Sequence, residues 1–166
     1  MSVTVCAEIL SIKSFAPFGS IISPQEEVDK VDDSAKNANQ GTAIKILQVS
    51  KNENPNPMGY PPNWNLFRCF PKPHLSTTFQ ATEGATTTTH PIHVLEKHPN
   101  SSQTFLPMGR PENEISYLVV VALEDEASKQ PDLSTVKAFL CKGNQAVTYG
   151  AGIWHAPMIV LGKQEY

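Results

Sequence analysis

The sequence predicts a mainly β fold, a sandwich or a barrel with few short helices. Two observations carry that reading. Short, β-branched apolar runs recur along the chain, separated by turns that bear Gly and Pro. Proline is also frequent, at 14 of 166 residues. Inside a helix it removes a hydrogen bond and clashes with the preceding turn, which leaves little room for long helices. The length suits one domain, taken as residues 1–166.

The elements follow in chain order. In FAPFGSII, residues 15–22, Pro17 and Gly19 punctuate apolar residues, which predicts a turn entering a short strand. Residues 24–42 are polar and aperiodic and read as a loop. Residues 43–49, AIKILQV, set Ile44 and Ile46 against Lys45, a strand with one buried face. Residues 51–63 hold Pro55, Pro57, Pro61 and Pro62, which exclude regular helix and central strand. WNLFRCF, residues 64–70, alternates in part and predicts a strand. The threonine-rich stretch 75–90 suits a strand or a polar surface loop. Residues 92–95 and 103–106 predict two more strands. YLVVVAL, residues 117–123, is the clearest buried strand, short and β-branched. Residues 136–140 follow, then a hairpin turn at 142–145. Strands at 146–149 and 158–161 are joined by GAGIWHAP. No internal repeat of fixed period is present.

Composition narrows the function classes. Apolar residues make up 40 % of the chain and charged residues 17 %, which fits a packed core and not a disordered polyelectrolyte. Net charge is −3 with no Lys/Arg cluster, so nucleic-acid binding has no electrostatic footprint. No apolar run approaches the ~20 residues that span a bilayer. The N-terminus lacks the basic and apolar regions of a signal peptide. A cytoplasmic protein is expected. Cys6, Cys69 and Cys141 are odd in number and far apart, which suggests reduced thiols in place of a disulfide framework or a thiolate zinc site.

The chemistry-bearing residues are the histidines: His74, His90, His93, His98 and His155. Side chains two apart on a strand face the same side, so Glu96 and His98 project together. Gln103 follows beyond a turn at Pro99-Asn100, and His155 follows the glycine turn Gly150-Ala151-Gly152. This arrangement resembles the cupin pattern. Glu96, His98, Gln103 and Gly109 occupy the places of its first motif, and Gly150, Gly152 and His155 those of its second. Glu96 stands where a histidine is usual, Gln103 where a glutamate is usual, and Gly150 where a proline is usual. A metal held by His98, His155, Glu96 and Gln103 is one reading, although a neutral amide is a weaker ligand than a carboxylate. Ordinary hydrogen-bonded histidines inside a barrel are the other.

Longer runs carry a closer resemblance. LEKHPNSSQTFLPM, residues 95–108, and PDLSTVKAFLCKGNQAVTYGAGIWHAPM, residues 131–158, are similar to two signatures of the ureidoglycolate lyase family. FAPFGSII and NLFRCFPKP, residues 65–73, also resemble it, the latter its fungal branch. The resemblance implies a cupin-like β-barrel (a double-stranded β-helix or jelly roll). It implies cleavage of ureidoglycolate to glyoxylate and urea in allantoin degradation. It implies a homodimer with a small-molecule substrate, no organic cofactor, and a divalent metal such as nickel. Members of the family continue with another apolar strand and an acidic tail, whereas this chain ends at Tyr166. A missing strand is expected to open a sheet edge.

On the same resemblance, His98 or Glu96 is the base at the substrate hydroxyl, and His155 shares that task or holds a metal with His98. Arg68 and Lys137 are candidates for the substrate carboxylate, and Gln103 for the ureido group. Lys137 alternates with Val136 and Ala138 and also reads as the solvated face of a strand. Glu96-Lys97 also reads as a surface pair. Trp154 reads as packing beside the site, and Phe105 and Met108 as core or pocket wall. Three rivals remain: a hydrolase releasing ammonia and carbon dioxide from ureidoglycolate, a cupin that binds a small molecule without turnover, and a metal-dependent oxygenase or isomerase of the wider cupin group, against which Glu96 and Gln103 in the ligand places argue.

Overall fold

The computed structural model describes residues 2–28, 35–54, 61–76 and 88–163. Among these residues, ten strands and two short α-helices, with three single 3-10 turns besides, run in the order β1 (Ala7–Ile9), α1 (Ile12–Phe15), β2 (Gly19–Ile22), α2 (Pro24–Val28), β3 (Ala35–Ala38), β4 (Ala43–Ile46), β5 (Gln103–Phe105), β6 (Ile115–Ala122), β7 (Lys137–Lys142), β8 (Ala146–Tyr149), β9 (Trp154–His155) and β10 (Ile159–Val160). The expected mainly β architecture with few short helices is what is observed, and it is consistent with a cupin-like sandwich or barrel.

The centre is β6. Its continuous apolar sequence, ISYLVVVA, is buried along nearly its whole length, as a strand covered on both faces requires. It pairs antiparallel with β7 on one edge. On the other edge it pairs with β9 and then β10, with a one-residue slip in register between them. The slip falls at Ala156-Pro157-Met158, where Pro157 lacks a ladder N–H. β1 adds to β7 in parallel. A second sheet runs β2–β8–β5, and β3 pairs only with β4. Between the two larger sheets lies the main core, which includes Phe15, Phe18, Tyr117, Val119, Val121, Phe139, Val147 and Tyr149. Ser11 caps α1 by accepting from the Ser14 N–H, and this turns Phe15 into the core.

Several local expectations are corrected. Residues 24–42 are not one loop, since α2 and β3 fall within them; residues 29–34 lie outside the described residues. β4 has no buried face and Ile44 is exposed, because among the described residues β4 has only β3 beside it. Residues 64–70 and 92–95 form no strand despite their alternation. The turn at 143–144 joins β7 to β8, but these strands belong to different sheets, so it is a crossover and not a hairpin. The threonine-rich stretch lies largely outside the described residues.

Candidate active site

β9 is two residues long, yet it organises the site. His155 and Glu96 exchange both backbone hydrogen bonds, each at 2.8 Å, across an antiparallel bridge. Directly opposed residues present their side chains on one face. One step further, the Gly152 N–H donates to the His98 carbonyl at 2.9 Å. Residues 96–98 thus extend the β6–β9 edge, and Glu96 and His98 share a face as their spacing predicts. Gly152 makes the approach with φ +81°, a conformation that costs glycine little and other residues more. From the facing sheet, β5 and β8 bring Gln103 and Tyr149 opposite each other.

Four side chains meet in this gap. His155 is buried at 1 % exposure. Its Nε2 lies 3.0 Å from Gln103 Oε1 and 3.8 Å from Glu96 Oε1. Its Nδ1 lies 2.9 Å from the Ile153 carbonyl, which can only accept, so Nδ1 carries the proton. The His98 ring sits 5.6 Å from that of His155, and His98 Nε2 is buried without a partner. Burial pushes the His155 pKa down; the Ile153 carbonyl raises it, His98 lowers it and Glu96 raises it, with burial the largest influence. A neutral ring with its proton on Nδ1 keeps a lone pair on Nε2, aimed between Gln103 and Glu96. The Gln103 amide suits that lone pair with its NH2 turned inward.

The set also fits a divalent metal. The ligand atoms of Glu96, His98 and His155 lie within 4.8 Å of one another. Atoms around a single ion with bonds of about 2.1 Å stand roughly 3–4 Å apart, so small side-chain rotations close the set. Two imidazoles and a carboxylate are a recurrent donor combination. The unpartnered Nε2 of His98 is the observation that favours the fit.

The other candidates lie further out. Lys137 shares a strand row with Val121 and His155, two strand spacings or roughly 10 Å from the histidine. Its ammonium is 4.0 Å from Glu8 and mostly exposed. Arg68 is exposed, next to Phe67, whose ring meets Phe105 edge-on at 6.5 Å. Lys97 pairs with Glu124 and stands over Trp154, so Glu96-Lys97 is not a pair. Phe105 packs against the core, whereas Met108 is 72 % exposed. His90 meets His74 at 2.9 Å.

Sequence reasoning missed Tyr149. Its ring stacks on His155 at 4.1 Å and 8°, and Phe105 meets it edge-on at 5.6 Å. Burial pushes the Tyr149 pKa well up, with Cys141 and Glu96 adding to the shift. The only signal was its position ahead of the glycine turn, and the partner strand that makes it matter lies some 46 residues earlier, at Gln103.

Comparison with known proteins points the same way. Residues 2–166 match the family model described as ureidoglycolate lyase. The chain is 59 % identical over 165 residues to a ureidoglycolate lyase of Saccharomyces cerevisiae, covering 99 % of this chain and 82 % of that protein. Against the Schizosaccharomyces pombe ureidoglycolate lyase, identity is 37 % over 165 residues, with 96 % and 80 % covered. Against that of Burkholderia mallei it is 34 % over 163 residues, with 96 % and 77 % covered.

Proposed function

The chain belongs to the ureidoglycolate lyase family, and on that premise we propose that it cleaves ureidoglycolate to glyoxylate and urea. The observation that carries the reading is the grouping of Glu96, His98, His155 and Gln103, with one buried imidazole nitrogen unpartnered. The substrate carbon bears a hydroxyl, a ureido nitrogen and a carboxylate. Removing the hydroxyl proton lets the C=O bond form as the C–N bond breaks, and the departing nitrogen takes up a proton to become urea. No water is consumed.

The proposed roles are these. Glu96 or His98 accepts the hydroxyl proton, and the proton so gained can serve the leaving nitrogen. His155, neutral and held by Ile153 and Tyr149, orients the hydroxyl from its Nε2 side. Gln103 presents an amide that matches the ureido group. Arg68 and Lys137 are the cations proposed for the carboxylate. Held by Glu96, His98, His155 and Gln103, a divalent ion such as nickel would supply Lewis acidity at the hydroxyl.

The same premise extends to setting. The chain is proposed to act as one domain over residues 1–166, in the cytoplasm, in allantoin degradation, as a homodimer with neither nucleic acid nor membrane as partner. Among the described residues no helix is long and apolar enough to cross a membrane. The test is an assay on ureidoglycolate that counts glyoxylate, urea and ammonia separately, before and after chelation. Urea with glyoxylate supports the lyase, and loss on chelation adds the metal. Ammonia without urea moves the reading to a hydrolase. Binding without either product moves it to a non-catalytic cupin.

A further inference from the structure

The face of the second sheet turned away from the core carries a cavity that the proposed reaction does not use. Ile21, Val147, Tyr149 and Phe105 point into the core, so Ser20, Thr148 and Thr104 point outward. These three stand side by side on β2, β8 and β5, because Ser20 is in register with Thr148 and Thr148 with Thr104. The segment that follows β4 passes over this face. Between the two lies a space of about 300 Å³, lined by Ser20 and Thr148 on the sheet and by Ser50, Lys51 and Glu53 on the segment. We propose that this cavity binds a small carboxylic acid that also carries N–H donors, such as an amino acid or a ureido acid.

Three features of the walls select that class. The first is a row of hydroxyls. Ser20 donates to Ser50 at 3.0 Å, Ser50 donates to Thr148 at 2.7 Å, and Thr148 and Thr104 share a bond at 2.9 Å. Four hydroxyls bring four protons and the row uses three, so one donor is left over among the described residues. Ser20 Oγ, at the cavity's end of the row, accepts from no described group. The second is charge. Lys51 and Glu53 line the same wall, yet neither is in an ion pair among the described residues. Glu53 Oε2 accepts from the Ala151 N–H at 3.4 Å, a long bond, and Oε1 is left to accept another N–H. A cation and a carboxylate that do not close on each other can hold the two ends of a ligand with a carboxylate and N–H donors.

The third is that the wall is fastened before any ligand arrives. The Ser102 N–H donates to the Glu53 carbonyl and the Glu53 N–H to Ser102 Oγ, both at 2.9 Å. With Ser50 bonded to Thr148, residues 50–53 are tied to the sheet at both ends, and a preformed wall lowers the ordering cost of binding. Gln48, on the same wall, holds φ +56°, a conformation rare away from glycine and kept where the surroundings enforce it. The volume is at the small end of the range for small-molecule sites, which suits a compound the size of an amino acid. The cavity is separate from the gap of Glu96 and His155, since Gln103 and Tyr149 turn to the opposite face of the strands that carry Thr104 and Thr148.

The test is calorimetric titration of the wild type, Lys51→Ala and Glu53→Gln with glycine and with N-carbamoylglycine, the simplest amino acid and the simplest ureido acid. The wild type is expected to bind at least one of them at a site that each substitution weakens about tenfold, as loss of one charge-assisted hydrogen bond does. The compound bound more tightly tells which of the two kinds the cavity takes. Acetate and urea, which offer one end each, are expected to bind that site about tenfold more weakly or worse. Lys51 and Glu53 are exposed, so thermal midpoints and urea release should stay as in the wild type. Affinities that are the same in all three proteins overturn the inference. So does a wild type that takes up neither compound, or one that takes acetate as tightly as glycine. Binding here needs no turnover, so a chain that releases no urea is judged by the same titrations.

Discussion

The two ends of β6 are built by opposite rules. At the Ile115 end, polar groups are matched almost completely. The Arg110 side chain is buried, donates to Glu114 at 2.8 Å and to the Leu161 carbonyl, and lies against Ser116. Tyr117 donates to the Gln145 carbonyl at 2.6 Å, and the Gln145 amide reaches Glu26, Ser23 and Leu10. Gly143 crosses there between sheets with no room for a side chain, since a Cβ would stand 2.4 Å from the Pro111 carbonyl. Asn144 Oδ1 is the one buried side-chain atom left unmatched at that end among the described residues. At the Ala122 end, about 24 Å away at ~3.4 Å per residue, His98 Nε2 and Trp154 Nε1 are both buried without partners. Two unmatched buried nitrogens at this end against one unmatched oxygen at the other fit the site proposed here.

The sharpest break of that contrast is at His155. His155→Gln should reduce urea release about a thousandfold, as removal of a positioned acid–base group does. The thermal midpoint should move by only a few degrees. A variant that keeps a tenth of wild-type turnover would show that the imidazole is a packing element like those of the other end.

Arg110 is the opposite case. Arg110→Ala takes the partner from the Glu114 carboxylate and a donor from the Leu161 carbonyl, while Ser116 keeps its bond to the Glu114 carbonyl, and should cost about 3 kcal/mol. At this chain length that lowers the thermal midpoint by roughly 10 °C. The fraction that remains folded should turn over normally. Loss of turnover at unchanged stability would mean that the ends are not independent.

His98→Leu tests the site's end from the side of stability. It removes a buried nitrogen that has no protein partner, so chemical denaturation should show stability unchanged or raised by about 1 kcal/mol. Turnover and divalent-ion affinity, the latter followed by calorimetry, should both fall. Destabilisation by 2 kcal/mol or more would reveal an internal partner for that nitrogen and weaken the case for a ligand.

What was legible in the sequence follows the same divide. β6 was plain because its apolar run is long and β-branched, and β7, β8 and β10 were found on similar grounds. Glu96 and His98 were read together because their relation is local, two residues on an extended backbone. β1 was missed: its exposure is high on all three residues, so no buried face marks Ala7–Ile9. Residues 64–70 alternate as a strand does but find no strand neighbour among the described residues, and periodicity carries no information about partners. Tyr149 was invisible as a site residue because its role depends on the facing sheet. The crossover at Gly143 looked like a hairpin because a tight turn has the same residues whether or not its flanking strands pair.

The smallest expected effect is on pH dependence. The His155 pKa is held below its ordinary value, chiefly by burial. In the window between that lowered value and the unfolded value of about 6.5, the unfolded chain binds the proton and the folded chain does not. Stability is therefore complete above about pH 6.5 and declines as pH falls toward the folded pKa. His90, lowered chiefly by burial and then by Lys72, His74 and His93, acts in the same direction. The difference between wild type and His155→Gln isolates the contribution of the site. In metal-free protein, denaturation from pH 8 to pH 5 should show a steeper loss for wild type than for the variant. Parallel curves would mean that the buried ring takes up its proton as readily as an exposed one, and the open end would then be no less tolerant of charge than solvent.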